Sequence, residues 1–232
     1  MRQSDISKVR SLDLFRDMSD ESFEILIHGA FLMSFPAGSD LITEGENSDF
    51  LHILIEGSVE LFAGWSGHET VMVTLQPVAT FILAATIRDA PYLMSARTVS
   101  KSSVVLLPSS NVRDVLKQDG TFSNVLLQEM AQCYRAVIKN TKNLKLRSSV
   151  ERLANYLLRC HRRAGNTPEF DLLVEKKKLA STMGMTPENL SRAIKALKAH
   201  GVEISGSKVH LTDVAALERF ADPTPLIDQA DY

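Results

Sequence analysis

Apolar and polar positions along this 232-residue chain follow one period as far as Pro108 and another beyond it. From Phe31 to Pro108 short apolar runs alternate with turn residues: FLMSF before PAGS, LIT before EGENSD, FLHILI before EG, SVELF before AGWSGHE and TVMVTL before QP. Runs of this kind, rich in β-branched and aromatic residues and recurring about every 8–12 residues, predict the strands of an antiparallel sandwich or barrel. Gly38, Gly45, Gly57, Gly64 and Gly67 fall in the intervening turns, where a positive φ costs glycine little. Ahead of the strands, residues 7–29 read as helical. Leu14, Phe15, Phe23, Leu26 and Ile27 supply the apolar contacts, and Ser19 an N-cap before Glu21 and Ser22.

After Pro108 the period becomes helical. Ser109 and Ser110 are placed to cap a short helix through Lys117, Gly120 to break it, and a longer helix runs from Thr121 to Lys145. Along the longer helix Leu126, Met130, Cys133, Val137, Asn140 and Leu144 stand alternately four and three residues apart. That spacing is the seam of two parallel helices joining two chains, with Asn140 fixing the register; packing of the helix on its own domain is the alternative. Arg135, Lys139 and Lys142 lie off the seam. Residues 148–164 form another helix through Val150, Leu153, Leu157 and Leu158, GNTPEF is a loop, and DLLV is a short strand. Beyond Gly201, VEISG and KVHL around Ser207 predict a β-hairpin wing. Thr212 is placed to cap a last helix to Phe220, and DPTPLIDQADY reads as a loose tail.

Between that strand and the wing lies KKKLASTMGMTPENLSRAIKALKAHG, residues 176–201. It reads as a helix, a turn at Gly184 and a second helix opened by Thr186 as N-cap, Pro187 at N1 and Glu188 in the first turn. The spacing i, i+3, i+4 puts Glu188, Ser191 and Arg192 on one face, while Leu190, Ile194 and Leu197 occupy the opposite stripe. Such a face suits base edges in a major groove. Arg192 can donate twice to O6 and N7 of guanine, Glu188 can accept from N4 of cytosine, and Ser191 suits several edges. Thr186, Asn189 and Lys195 complete the expected DNA-binding set, and Lys195, Lys198 and Lys208 are placed for phosphates. A surface ion pair between Glu188 and Arg192 is the plainer alternative.

The net charge of −2 conceals an asymmetry that agrees with this reading. Residues 1–120 carry 9 basic and 16 acidic side chains, and residues 121–232 carry 17 and 12, so the half with the reading helix is the positive one. The length implies more than one domain; the expected division is 1–120 sensor, 121–147 dimerisation helix and 148–232 DNA-binding domain. Cys133 and Cys160 form no metal or disulfide spacing and read as buried apolar residues. No run is long and apolar enough for a bilayer, and MRQSDISKVR lacks a signal-peptide core, so a cytoplasmic protein without a membrane partner is expected. No nucleophile elbow, phosphate loop or metal spacing speaks for an enzyme.

ITEGENSDFLHILIEGSVELF, the long helix after LLPSSNV and TPENLSR together resemble the CRP/FNR family of transcription regulators over nearly the whole chain. The resemblance implies an α+β fold: an N-terminal antiparallel β-roll of the cyclic-nucleotide-binding type, a long dimerisation helix and a C-terminal winged helix-turn-helix. It also implies a homodimer on palindromic double-stranded DNA that acts with RNA polymerase, its two reading helices about 34 Å apart. In the FNR branch the E-x-x-S-R pattern contacts a TTGAT-like half-site, and it maps onto Glu188, Ser191 and Arg192. Members that bind cyclic AMP carry a Gly-Glu-Leu step and an Arg-Ser pair; here Ile82-Leu83-Ala84 and Leu93-Met94 stand in those places. A cyclic phosphate would lie on apolar groups without a cation, so cyclic AMP is not expected, unless Arg88 or Arg97 reached it from a shifted register. The N-terminal cysteine cluster of an iron–sulfur sensor is absent. What remains resembles the branch answering nitric oxide in denitrifying bacteria, where haem is the suspected cofactor. FILAATIRDAPYLMSA, with Leu83, Leu93 and Met94, is then the candidate pocket. His28, His52, His68, Tyr92, Met72 and Met94 are the candidate axial ligands, although His52 could equally be a strand residue facing solvent. Two readings stay open: a regulatory module of an enzyme or channel answering a cyclic nucleotide or another small molecule, and a DNA binder controlled by a small apolar molecule or by none.

Overall fold

The computed structural model describes residues 1–172 and 174–229, without the side chains of Trp65 and His68. Leu173 and the last three residues therefore lie outside the described residues, as does the side chain of His68 as a candidate ligand. The chain divides into two compact units, Met1–Ala131 and Gln132–Tyr232.

In the first unit α1 (Gln3–Arg10), a 3₁₀ turn (Asp13–Phe15) and α2 (Asp20–Ile27) replace the single expected helical segment. Ser19 caps α2 as expected, its hydroxyl accepting from Ser22 N at 3.1 Å. Then come β1 (Phe31–Phe35), β2 (Asp40–Ile42), β3 (Phe50–Glu56), β4 (Val59–Trp65), β5 (His68–Leu75), β6 (Ala79–Phe81), α3 (Leu83–Arg88), β7 (Ser95–Thr98) and β8 (Ser102–Pro108). The strands form two antiparallel sheets in the orders β1-β8-β3-β6 and β2-β7-β4-β5. β3 lies inside its sheet and is covered on both faces. Leu51, Ile53 and Ile55 pack with the helices, whereas Leu54 packs with Leu61, Phe81 and Ala96 between the sheets. A strand buried on both sides reads as a continuous apolar run, which is why FLHILI does not alternate.

α4 (Ser109–Gln118) and α5 (Gly120–Leu146) follow. Neither Ser109 nor Ser110 caps α4: Pro108 holds the N-cap position without a side-chain bond, and Ser109 is the buried first residue of the helix. At the next junction Asp119 does the capping, accepting from Phe122 N at 2.9 Å and from Ser19 N at 3.1 Å, so one carboxylate ties the starts of α2 and α5. Phe122 and Leu126 from the first turns of α5 complete the helical core with Phe15 and Leu26.

In the second unit α6 (Ser149–Arg163) starts in a capping box, Ser148 bonding Glu151 N and Glu151 bonding Ser148 N. β9 (Glu169–Asp171) meets the DLLV run expected to be strand only at Asp171, and α7 (Lys176–Thr182) and α8 (Pro187–Leu197) form the helix pair. β10 (Val202–Ser205) and β11 (Lys208–Leu211) make the wing hairpin, with β9 paired to β11 as a third strand. α9 (Val214–Ala221) is capped by Asp213 rather than by Thr212. The expected loose tail instead contains α10 (Pro225–Asp228), which is anchored through buried charge. The core joins Leu153, Leu157 and Leu158 of α6 to Leu179, Leu190, Leu197, Val209 and Leu217. Cys160 is half-buried, but Cys133, expected inside, is exposed.

Gly57, between β3 and β4, has φ +92°, and an added Cβ would collide with the Lys101 carbonyl and with Ser102. Backbone strain and clash act together there. Gly57→Ala is expected to destabilise the first unit by about 3 kcal/mol, read as a lowered urea midpoint by far-UV circular dichroism.

Candidate nucleic-acid interface

α8 is prepared by its sequence before any DNA arrives. Thr186 accepts from Asn189 N at 3.2 Å, Pro187 fills N1, and Leu190, Ala193 and Leu197 are buried while Ile194 packs at the edge of the core. Glu188, Ser191 and Arg192 stand together on the exposed face, flanked by exposed Thr186 and Lys195 and half-buried Asn189. Its own main-chain N–H and the Thr186 hydroxyl hold the Glu188 carboxyl below the usual carboxylate range, so it stays an acceptor. Arg192 donates to Asn189 Oδ1. Its guanidinium thus rests along the helix on a neutral amide, which a base edge can replace. Ser191 Oγ donates to the Pro187 carbonyl at 3.0 Å. Lys198 and, on β11, Lys208 are also exposed.

The turn that sets this helix in place is held from α6. Gly184 has φ +61°, and an added Cβ would press on Leu144 near the end of α5. Arg152 is buried, and its guanidinium donates to three main-chain carbonyls: Arg147 at 2.7 Å, Met183 at 3.0 Å and Gly184 at 3.5 Å. Burial lowers its pKa from the usual arginine value; a cation at the carbonyl ends of two helices is favourably placed against both helix dipoles. Sequence reasoning missed Arg152, because an arginine beside the apolar stripe of α6 carries no mark of what it will cap.

Residues 32–119 match the family described as the cyclic nucleotide-binding domain, and residues 151–220 the Crp-like helix-turn-helix domain. The CRP-like cAMP-activated global transcriptional regulator of Mycobacterium tuberculosis is 25% identical over 195 residues, spanning 82% of this chain and 87% of that protein. In fold the chain is similar to FixK2 from Bradyrhizobium japonicum, with a TM-score of 0.64 at 21% identity over 88% of this chain and 99% of the other. DNR from Pseudomonas aeruginosa matches with a TM-score of 0.50 at 21% identity over 95% and 99% of the two chains. The chain is a transcription regulator of the CRP/FNR family. Its winged helix-turn-helix is the DNA-binding part and its roll the ligand-sensing part.

The sensor candidates of this CRP/FNR chain do not meet in one place. Leu83 belongs to the helical core, Met94 packs against the interior of the roll, and Leu93 is 80% exposed. Arg97 is engaged by Asp40 at 2.7 Å and Glu69 at 3.2 Å over the ring of Phe62, and Arg88 is exposed. Among the proposed haem ligands His28 and Met72 are exposed, and the Tyr92 hydroxyl donates to the Phe50 carbonyl at 3.1 Å. His52 does not face solvent: it is 5% exposed, lies beside the rings of Phe81 and Tyr92, and its Nδ1 has no hydrogen-bond partner among the described residues. A haem needs an axial ligand facing a cavity the size of the macrocycle. The described candidate ligands, scattered between surface and packed core, do not fit that group.

Burial takes the His52 imidazole down to about 4, a contact with the Phe50 backbone only partly opposing it. The unfolded chain takes up this proton near pH 6.5, whereas the folded chain does not until about pH 4. Stability therefore falls as pH drops through that window, by about 3 kcal/mol in total, and this contribution is constant outside it. His52→Phe is expected to flatten that part of the pH dependence, measured by urea unfolding between pH 4 and 7.

Proposed function

We propose that two copies of the chain pair along α5 and read a palindromic TTGAT-like site, each half-site through Glu188, Ser191 and Arg192. The observation that carries this reading is the exposed polar triplet on a capped helix whose other face is core. Arg192 takes a guanine through O6 and N7, Glu188 accepts from a cytosine N4, and Lys195, Lys198 and Lys208 meet phosphates. Promoter-bound chains then engage RNA polymerase in the cytoplasm. Arg192→Ala is expected to weaken binding to palindromic TTGAT-type DNA by about 1–3 kcal/mol per half-site at fixed salt, with little change on scrambled DNA. Fluorescence anisotropy on both DNAs decides; equal losses would reduce Arg192 to a phosphate contact.

In this reading Leu127 and Tyr134 replace Leu126 and Cys133 on the seam of the pair, while Met130, Val137 and Leu144 keep their places. Leu126 is 1% exposed in the core of its own unit and Met130 is partly covered there, whereas Leu127, Tyr134, Val137, Ile138 and Leu144 are exposed. Leu127, Met130, Tyr134, Val137 and Leu144 keep heptad spacing, with exposed Cys133 and Asn140 beside them. Val137, 61% exposed in the single chain, can take a charge without disturbing the fold of that chain. Val137→Glu is expected to give folded monomers in sedimentation equilibrium; an unchanged dimer would remove α5 as the joining element.

The effector that best suits the roll is a small uncharged molecule, nitric oxide among them, rather than a cyclic nucleotide. Apolar residues stand where a cyclic phosphate needs a cation, and Arg97 is already committed to two carboxylates. Haem does not suit the roll, since the described candidate ligands do not converge.

A further inference from the structure

α10 is only four residues long, yet its last residue is among the most enclosed charges of the second unit. The Asp228 side chain is 4% exposed, and Arg147 grips it with two parallel bonds, Nη1 to Oδ1 at 2.8 Å and Nη2 to Oδ2 at 2.6 Å. Arg159 of α6 adds Nη1 to Oδ1 at 3.2 Å, and the Thr224 main-chain N–H donates to Oδ2 at 2.9 Å. Arg147 also donates to Asn143 Oδ1 at 3.2 Å and to the Asp222 carbonyl at 3.5 Å, and Lys139 Nζ donates to the Gln229 carbonyl at 2.7 Å. Lys139, Asn143 and Arg147 stand four residues apart, the first two on α5 and the third at its end. One stripe of the long helix is thus fastened to the tail, while Arg159 fastens the same tail to α6 and Asp222, the residue that ends α9, takes a further bond from Arg147.

Arg147 is also where the reading helix is held. Its side chain binds Asp228, and its carbonyl receives Arg152, whose other bonds run to Met183 and Gly184 in the turn before α8. We propose that Asp228 is a positioning residue for DNA recognition: by clasping Arg147 and Arg159 it fixes the angle between the end of α5 and the winged unit. The inference rests on the α5-paired dimer proposed above. In such a dimer, freedom at the joint between α5 and α6 becomes freedom in the distance between the two reading helices. A bidentate arginine–carboxylate pair closed off from water restricts orientation as well as distance. The tail touches no base, so its loss leaves the reading face of one half-site intact.

The test compares the wild-type chain, Asp228→Asn and a chain ended at Asp222 on three kinds of DNA: a single half-site, the palindrome, and palindromes with one base pair added or removed between half-sites. Wild type is expected to prefer one spacing by about tenfold or more. Both variants are expected to keep half-site affinity within about twofold and dimer mass in sedimentation, while their preference among spacings falls to about threefold or less. Hydrogen exchange should quicken at residues 143–149 and not in α8. Should Asp228→Asn fail to fold, the shortened chain decides by the same readouts, because without α10 the two arginines face water. Unchanged spacing preference in the variants, or equal loss on half-site and palindrome, would overturn the positioning role alone. A wild-type chain that binds a half-site as tightly as the palindrome would overturn the dimer reading, and this role with it.

Discussion

Between Met183 and Thr186 the chain must turn from α7 into α8 within a few residues, and the carbonyls at the end of α7 must find donors away from water. Arg152 provides them, with a third bond to the carbonyl that closes α5. A buried guanidinium satisfied by carbonyls is costly to desolvate, so it is tolerated only where its geometry is met by several acceptors at once. Here those acceptors are the ends of two helices. The turn therefore cannot open, nor α5 rotate about its end, without leaving a buried cation short of partners. Gly184 allows the close approach of Leu144, Thr186 can then cap α8, and the face carrying Glu188, Ser191 and Arg192 emerges in a fixed direction.

The first unit depends on a different constraint, the burial of β3 on both faces. Its odd-numbered residues are needed by the helices and its even-numbered ones by the interior of the roll. His52 falls on the inner side and is held neutral there, beside aromatic rings. An interior assembled from Leu54, Leu61, Phe81, Tyr92 and Val104 has no means to solvate an ionised ligand. On the effector reading proposed above, a signal received there is uncharged or brings its own counter-charge. Arg97, near the candidate segment, is spent on two carboxylates at the surface, and Arg88 within the segment is exposed.

What was legible in the residues was local. Turn glycines, the Ser19 and Thr186 caps, the two faces of α8 and the wing hairpin follow from neighbours within a few positions, and all are present except that Gly64, expected in a turn, lies within β4. Interactions that close over long stretches left no such mark. Asp228 lies 81 residues from Arg147, so a tail rich in proline and aspartate reads as loose although its one enclosed carboxylate anchors it. α3 was hidden because LAATIR is too short to show a helical period. Leu126, at the head of the α5 stripe, was assigned to the wrong neighbour for a related reason. Periodicity identifies an apolar face but not what covers it, and Leu126 is covered by Phe122 and the rest of its own unit. Arg152 and His52 illustrate the same limit for polar residues: a cation and an imidazole within apolar stretches look like surface positions until the fold supplies carbonyls for one and rings for the other.

These constraints narrow how such a regulator can be switched. One route would be to melt and remake the reading helix, but α8 is capped at Thr186, buried along Leu190, Ala193 and Leu197, and stapled at its entry by Arg152. Melting it would expose the centre of the second core, so the reader is in effect always formed. A ligand can shift an equilibrium only by its difference in affinity for two states; in the proposed pair of chains, with the reader fixed, those states would differ in where the two readers stand. For a pair of chains joined along α5, that reduces to the phase of α5 against its mate. The residues free to change phase are the exposed ones, Leu127, Tyr134, Val137 and Ile138, because the start of the helix is locked into the roll by Phe122 and Leu126 and its end is locked to the winged unit by Arg147. A signal that loosens or tightens the roll around the first turns of α5 would then reach the DNA as a change in spacing, without altering a single base contact.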